Sequence, residues 1–228
     1  MGVRDRRARQ KQLLRQQILD AARALLVREG YDSLSMRRVA ERIDYSPTAI
    51  YLHFKDKQEL VFSLCEESFA KLVDELETLA DEYPDPLVRL RKGMERYVAF
   101  GLKNPNHYIP AFVLPPPADL DVKRQQEMLS PRSNGMRALA TLRDTIADGV
   151  KAKKLRKVDA DVAARAAWAA LHGITSLLIV HDRFPWGNRE QVVQTLIDAL
   201  KNLSIVGALF MIAGYGRGPR SSEPAYDV

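Results

Sequence analysis

Residues 35–60, SMRRVAERIDYSPTAIYLHFKDKQEL, constrain the fold of this chain more than any other stretch, because they hold two short helical patterns around a tight turn. Met36, Val39, Ala40 and Ile43 recur at spacings of three and four, the helical period, while Arg37, Arg38, Glu41 and Arg42 fall on the opposite face. Asp44 and Tyr45 interrupt that pattern. Ser46 followed by Pro47 is a helix-start signal, a side-chain acceptor at the N-cap and then a proline where no backbone donor is missed. The second helix therefore begins at about Pro47 and turns Ile50 and Phe54 inward. Thr48, Ala49, Tyr51, Leu52 and His53 are left at its start and flanks, where a helix entering the major groove makes base-edge and phosphate contacts. Asp56 caps a third helix with Lys57 in its first turn, a place the helix dipole disfavours for a cation unless a phosphate is near. The layout is that of a helix-turn-helix DNA reader.

A small helical hairpin alone would look much the same, and charge separates the two readings. Residues 1–57 carry thirteen Lys and Arg against seven Asp and Glu, so the whole formal charge of +6 sits in the first quarter of the chain. No fold requires such a concentration, and it is the electrostatic footprint of a polyanionic partner. Double-stranded DNA is the partner expected. Ile18, Ala21, Ala22, Leu25 and Leu26 form the apolar stripe of an earlier helix that stops at Gly30. Residues 1–12, with five cations and one acid, predict a disordered basic arm able to follow phosphates or enter a minor groove, or simply a solvated tail.

Residues 18–62 resemble the DNA-binding domain of the tetracycline-repressor (TetR) family. Glu29-Gly30-Tyr31, Ser35, Val39-Ala40, the Ser46 turn, Ile50-Tyr51, His53-Phe54 and Lys57 to Leu60 fall at that family's spacings. The chain departs from it at Asp44-Tyr45, where the family has Gly-Val; Asp tolerates left-handed backbone, so the turn is expected to survive. The resemblance implies that Ser35 and Arg37 touch phosphate or a base from the supporting helix, that Thr48 and Ala49, behind Ser46 and Pro47, face bases, and that Tyr51, His53 and Lys57 hold the backbone.

The remainder reads as all helix, since no stretch alternates with period two between turn residues. Helices are expected from Asp56 to about Glu82, from Leu87 to Lys103, around His107 to Leu114, from about Pro131 to Lys153 with a possible start near Val122, from Ala160 to Asp182, and from Arg189 to Ala213. Pro115-Pro116-Pro117 forms a stiff break. The last two helices are apolar on most of their circumference, yet the uncharged run at the end of the second is shorter than a bilayer needs. Burial against a second copy explains them better, with Leu178, Val192, Leu196, Ile205 and Leu209 at the interface. Paired final helices agree with the resembled family, and Trp168 to Gly173 is similar to a Trp…His-Gly signature of one of its subgroups.

The division expected is thus arm 1–12, DNA-binding domain 13–60, ligand-binding and dimerisation domain 61–213 and loose tail 214–228. Cys65 is alone, and no apolar leader opens the chain, so a soluble cytoplasmic protein is expected. No nucleophile has an evident base, the four histidines lack metal-ligand spacing, and no catalytic site, metal or cofactor is assigned. If the helices bundle as the resemblance implies, Met94, Tyr97, Gly101, Tyr108, Phe112, Met136 and Leu139 converge beneath Trp168 and His172 around an apolar cavity. Such residues are also ordinary core. Three functions follow: a homodimeric repressor released from a palindromic operator by an apolar effector, a DNA-binding protein without effector, or a helical enzyme or ligand carrier.

Overall fold

The computed structural model describes residues 2–114 and 120–201, and among these there is no strand. Helix α1 covers Val3–Ser33, with a kink at Gly30 where φ is +80°. The helix proper therefore stops at the glycine, as its permissive backbone predicts. α1 also begins earlier than expected: residues 3–12 are its first turns rather than a disordered arm. Arg4 to Lys11 are mostly straight-chain residues of good helix propensity with one acid, Asp5, in the first turn, whose carboxylate accepts from the Gly2 amide at 3.0 Å. Helical continuity with the apolar stripe outweighs the repulsion between like charges.

α2 (Met36–Arg42) and α3 (Pro47–Tyr51) are joined by the tight turn. Asp44 takes φ +58° there, the left-handed geometry anticipated for the residue that stands where glycine is usual. Ser35 Oγ accepts the Arg38 amide and Ser46 Oγ accepts the Ala49 amide at 3.3 Å, so both start signals act as caps. Ile18, Ala22, Leu26, Leu34, Val39, Ile50 and Phe54 pack with Leu60 and Leu64 into one closed core. Ile50 and Phe54 are at most 1% exposed, and each burial contributes about 1.5–3 kcal/mol.

α4 (Lys57–Glu77) leaves this head and enters the body, with Leu60 and Leu64 in one core and Leu72 and Leu76 in the other. The single helix expected to Glu82 is interrupted at Thr78, after which α5 covers Leu79–Glu82. Arg96 explains the break: its guanidinium donates to the Glu75 carbonyl at 2.7 Å and to Thr78 Oγ1 at 2.9 Å. That carbonyl would otherwise take the Leu79 amide. α6 (Pro86–Lys103) returns antiparallel to α4, with Gly93 against Leu79 and, beyond its end, His107 against Ser68.

α7 (Pro105–Tyr108) runs into a wider π turn over Ile109–Val113. Pro110 has no amide to give Asn106, and the ladder resumes with a wider bond from the Leu114 amide to the Ile109 carbonyl. α8 (Val122–Met128), α9 (Asn134–Lys151) and α10 (Ala160–Val180) complete the body, followed by a helical segment, residues 189–201.

α10 runs parallel to α6, because Tyr97 meets Trp168 and Gly101 meets Thr175. It is long and apolar enough to cross a membrane, but its faces divide differently. Leu171, Thr175 and Leu178 are buried within the protomer. Leu178, 2% exposed, is therefore protomer core and not the interface residue expected from sequence. Its neighbour Leu177 is 45% exposed and belongs to an outward stripe with Val162, Ala166, Ala169, Gly173 and Val180. Val192 and Leu196 are half-buried, and Ile205 and Leu209 lie outside the described residues.

Candidate functional site

Two places qualify, the reading head and a cavity in the body. On α3, Pro47 and Thr48 are exposed, Ala49 is half-buried, and Tyr51 is 55% exposed beside the still more open Leu52. Five residues are too few to be stable alone, and the two inward anchors Ile50 and Phe54 hold this helix on α1 and α2. Ser46 caps α3, and the Ser35 hydroxyl is engaged in capping α2. Arg37 projects outward and pairs with Glu41 at 2.8 Å, an exposed i,i+4 pair that a phosphate could exchange at little cost. His53 is half-buried with Nδ1 lacking a hydrogen-bond partner. Burial, then Lys11 and Arg15, push its pKa below the ordinary histidine value. The extended α1 thus brings Lys11 and Arg15 to the same side as the reading helix. Lys57 Nζ sits 3.8 Å from the centre of the Tyr31 ring, a cation–π contact that holds the ammonium at the helix start.

The cavity has a volume of about 650 Å³. Of the nine residues expected around it, Tyr97, Phe112, Met136, Leu139 and Trp168 form part of its wall. Met94, Gly101, Tyr108 and His172 do not, and the reasons are steric and polar. A Cβ on Gly101 would stand 2.4 Å from Thr175 and 2.9 Å from Tyr108, so this glycine allows two helices to touch. Met94 is fully buried core. Tyr108 and His172 stand one layer behind the wall in a hydrogen-bonded chain: Tyr97 Oη to Tyr108 Oη at 3.0 Å, and Tyr108 Oη to His172 Nδ1 at 2.9 Å. Burial raises both tyrosine pKa values and lowers that of His172, so the chain is neutral.

The sequence reading missed all of the wall contributed by α4. Val61, Phe62, Cys65, Phe69, Leu72 and Leu76 all line it, joined by Ala111 of the π turn and by Leu26, Tyr31 and Gln58 from the head. Their four-residue spacing was visible, but a stripe facing a void and a stripe facing packed atoms look alike in sequence. The Cys65 thiol is pushed up to about 12, by burial first and Glu66 second, and is inert at neutral pH.

A seam of polar groups joins head and body beside this cavity. Arg23, 7% exposed, pairs with Asp20 at 2.6 Å and Glu67 at 2.7 Å, and Lys71 joins Glu67 at 3.1 Å. His107 completes it, with Nε2 3.0 Å from Lys71 Nζ and Nδ1 3.3 Å from Ser68 Oγ. The Ser68 hydroxyl donates to the Leu64 carbonyl, and Lys71 can only donate, so His107 is a neutral imidazole carrying its proton on Nδ1.

Residues 18–64 match the family of bacterial regulatory proteins named tetR, and residues 90–200 match the tetracyclin repressor-like C-terminal domain. This chain belongs to the TetR family. Among curated TetR relatives it is 36% identical over 87 residues to the transcriptional repressor AcnR of Corynebacterium efficiens, a match covering 36% of this chain and 43% of that one. The matched segments span between 31% and 49% of the length of such relatives. Solved structures share the fold over most of the chain. The transcriptional regulator FadR of Bacillus subtilis, determined with stearoyl-CoA, has a TM-score of 0.69 at 16% identity, the match covering 81% of this chain and 96% of that one. AibR, determined with isovaleryl coenzyme A and operator DNA, has a TM-score of 0.65 at 17% identity over 80% and 95%.

Proposed function

We propose that this TetR-family protein is a homodimeric transcriptional repressor that leaves a palindromic operator when a small, mainly apolar effector enters the body cavity. One observation carries the reading. The cavity wall is shared between the two regions, since Leu26, Tyr31 and Gln58 of the head border the same space as Phe112, Leu139 and Trp168 of the body. A molecule filling that space meets Tyr31, and Tyr31 carries Lys57 on its ring. Occupancy can therefore bias where the head stands, which is the differential contact that an effector needs to shift a population. That this fold accommodates both kinds of partner is supported by AibR, whose structure includes an acyl-CoA and operator DNA.

Dimerisation is supported by the outward apolar stripe of α10, six positions long on one face and uncharged throughout. Two such faces related by a twofold axis would bury each other and set the two α3 helices about one or more helical turns of DNA apart. The single experiment is an operator titration with and without a cavity-filling compound, on wild type and Tyr31→Ala. The wild type should bind a palindrome and release it, while Tyr31→Ala binds within a few-fold but releases poorly. Wild-type affinity unchanged by compounds shown to occupy the cavity would leave a DNA-binding protein without effector.

A further inference from the structure

The shape and charge of the cavity identify a narrower class of ligand, and this step rests on the effector reading above. Its wall follows α4 from Gln58 to Leu76, eighteen residues and so about 27 Å at 1.5 Å per residue. About 650 Å³ bordered by a wall of that length suits an extended chain better than a compact fused-ring body. The wall residues are overwhelmingly aliphatic or aromatic.

Two charged side chains belong to its wall, Glu66 and Arg165. Glu66 is engaged: its carboxylate accepts from the Asn134 amide at 3.1 Å and from Asn134 Nδ2 at 3.0 Å. Arg165 stands differently, 58% exposed in its side chain and joined to Asp161 by a single 3.4 Å contact. Because α10 is parallel to α6, which is antiparallel to α4, Arg165 lies toward the Leu76 end, away from Tyr31 and Gln58. Trp168, one turn further along, is 40% exposed, so this end also reaches solvent. One end of the channel is cationic and open to solvent, and the end that reaches the head carries no charge, with Tyr31 and Gln58 as its polar groups.

We infer that the cavity takes a single unbranched acyl chain whose anionic end rests on Arg165 and whose tail runs along α4 toward Tyr31. A guanidinium at the mouth fits a carboxylate or phosphate, and its weak present partner is easily exchanged. The tail gains by burial, so affinity should climb with every methylene until the channel is full. The anionic end can belong to a free fatty acid or to its coenzyme A thioester, which share this chemistry.

Calorimetric titration of the full-length protein, with Trp168 fluorescence as a second signal, would compare octanoate, dodecanoate, hexadecanoate, hexadecanoyl-CoA, methyl hexadecanoate and cholate. Affinity should rise by up to about fourfold per added methylene, and by more than about a hundredfold from octanoate to hexadecanoate. Cholate should bind far more weakly. Arg165→Gln should weaken hexadecanoate about tenfold while leaving methyl hexadecanoate within about twofold, and the stronger of hexadecanoate and its thioester names the source. Affinity flat with chain length, or cholate binding as well as hexadecanoate, would overturn the inference. Equal losses for acid and ester, or none, would remove Arg165 from it. Operator release is scored separately: chain binding without release sinks the effector reading alone, and release by a compact apolar compound with no chain binding sinks this inference alone.

Discussion

The head and the body of this protein use apolar residues in opposite ways. In the head, side chains from four helices close on one another with Ile18, Ala22, Val39, Ile50 and Leu60 fully inaccessible. The body buries side chains of the same kinds but leaves a channel along α4, held open by rings that prop against each other: Phe69 on Phe112 at 4.5 Å, and Phe112 on Tyr108 at 4.5 Å. A filled core fixes one geometry, as a DNA reader needs. An unfilled one forgoes packing energy and keeps room for a guest. α4 belongs to both cores, so what fills the second can be felt by the first.

The largest effect expected comes from placing a charge on either side of α10. Leu178→Arg buries an unpaired cation in the protomer core, which costs about 3–5 kcal/mol or more and should abolish the cooperative thermal transition. Leu177→Arg, one residue away on the outward stripe, should leave helicity intact and yield monomers in sedimentation. A soluble Leu177→Arg dimer would show that the stripe is not the interface.

Next in size is a direct comparison of the two cores by truncation. Phe54→Ala in the closed head should cost about 3–5 kcal/mol in denaturant unfolding, because a cavity must be created where none existed. Leu139→Ala on the channel wall enlarges an existing void and should cost no more than about 2 kcal/mol. Equal losses would mean that the channel collapses in solution.

Smaller effects belong to DNA binding, in which head residues should act and wall residues should not. Lys57→Ala should weaken binding to all sequences alike and lower the salt slope by about 0.9 for the one phosphate lost. Thr48→Ala should change sequence preference at an unchanged slope. Titrations on operator and scrambled duplex across salt concentrations separate them, and a Lys57→Ala protein matching wild type on both would remove its phosphate role.

The same contrast explains what could be read from the sequence. The head is written locally: Ser35, Ser46 and Asp56 cap their own helices within three residues, and Asp44 supplies the left-handed turn. Those interactions need no knowledge of the rest of the chain. The channel wall is assembled from α1, α4, α6, the π turn, α8, α9 and α10, and whether Phe69 meets Gly135 or empty space depends on packing between residues 66 apart. Periodicity told that Leu177 and Leu178 lie on a mostly apolar helix, but which of them faces outward depends on α6. The helical start of α1 was missed because composition was read as disorder, although its cations are good helix formers.

The smallest effect should appear at the seam between the two regions. His107 is held neutral, its pKa lowered to about 4 by burial first, then by Arg23 and Lys71, with Glu67 and Asp20 acting the other way. Its Nε2 accepts from Lys71, so protonation would cost that bond and set a third cation beside two others. The unfolded histidine protonates at its ordinary value of about 6.5. Stability from this group is therefore complete above about pH 6.5 and lost as pH falls toward 4, because the unfolded state takes up the proton first. Glu67, held below the usual carboxylate range by Arg23 and Lys71 despite its burial, keeps its charge through most of that window and limits the loss. His107→Gln preserves a polar side chain that cannot titrate. Urea midpoints from pH 7.5 to 4.5 should fall more steeply for the wild type than for this variant, the curves separating below about pH 6.5. Superimposable profiles would show that His107 gives up the Lys71 contact freely, and that the seam does not bind head to body through it.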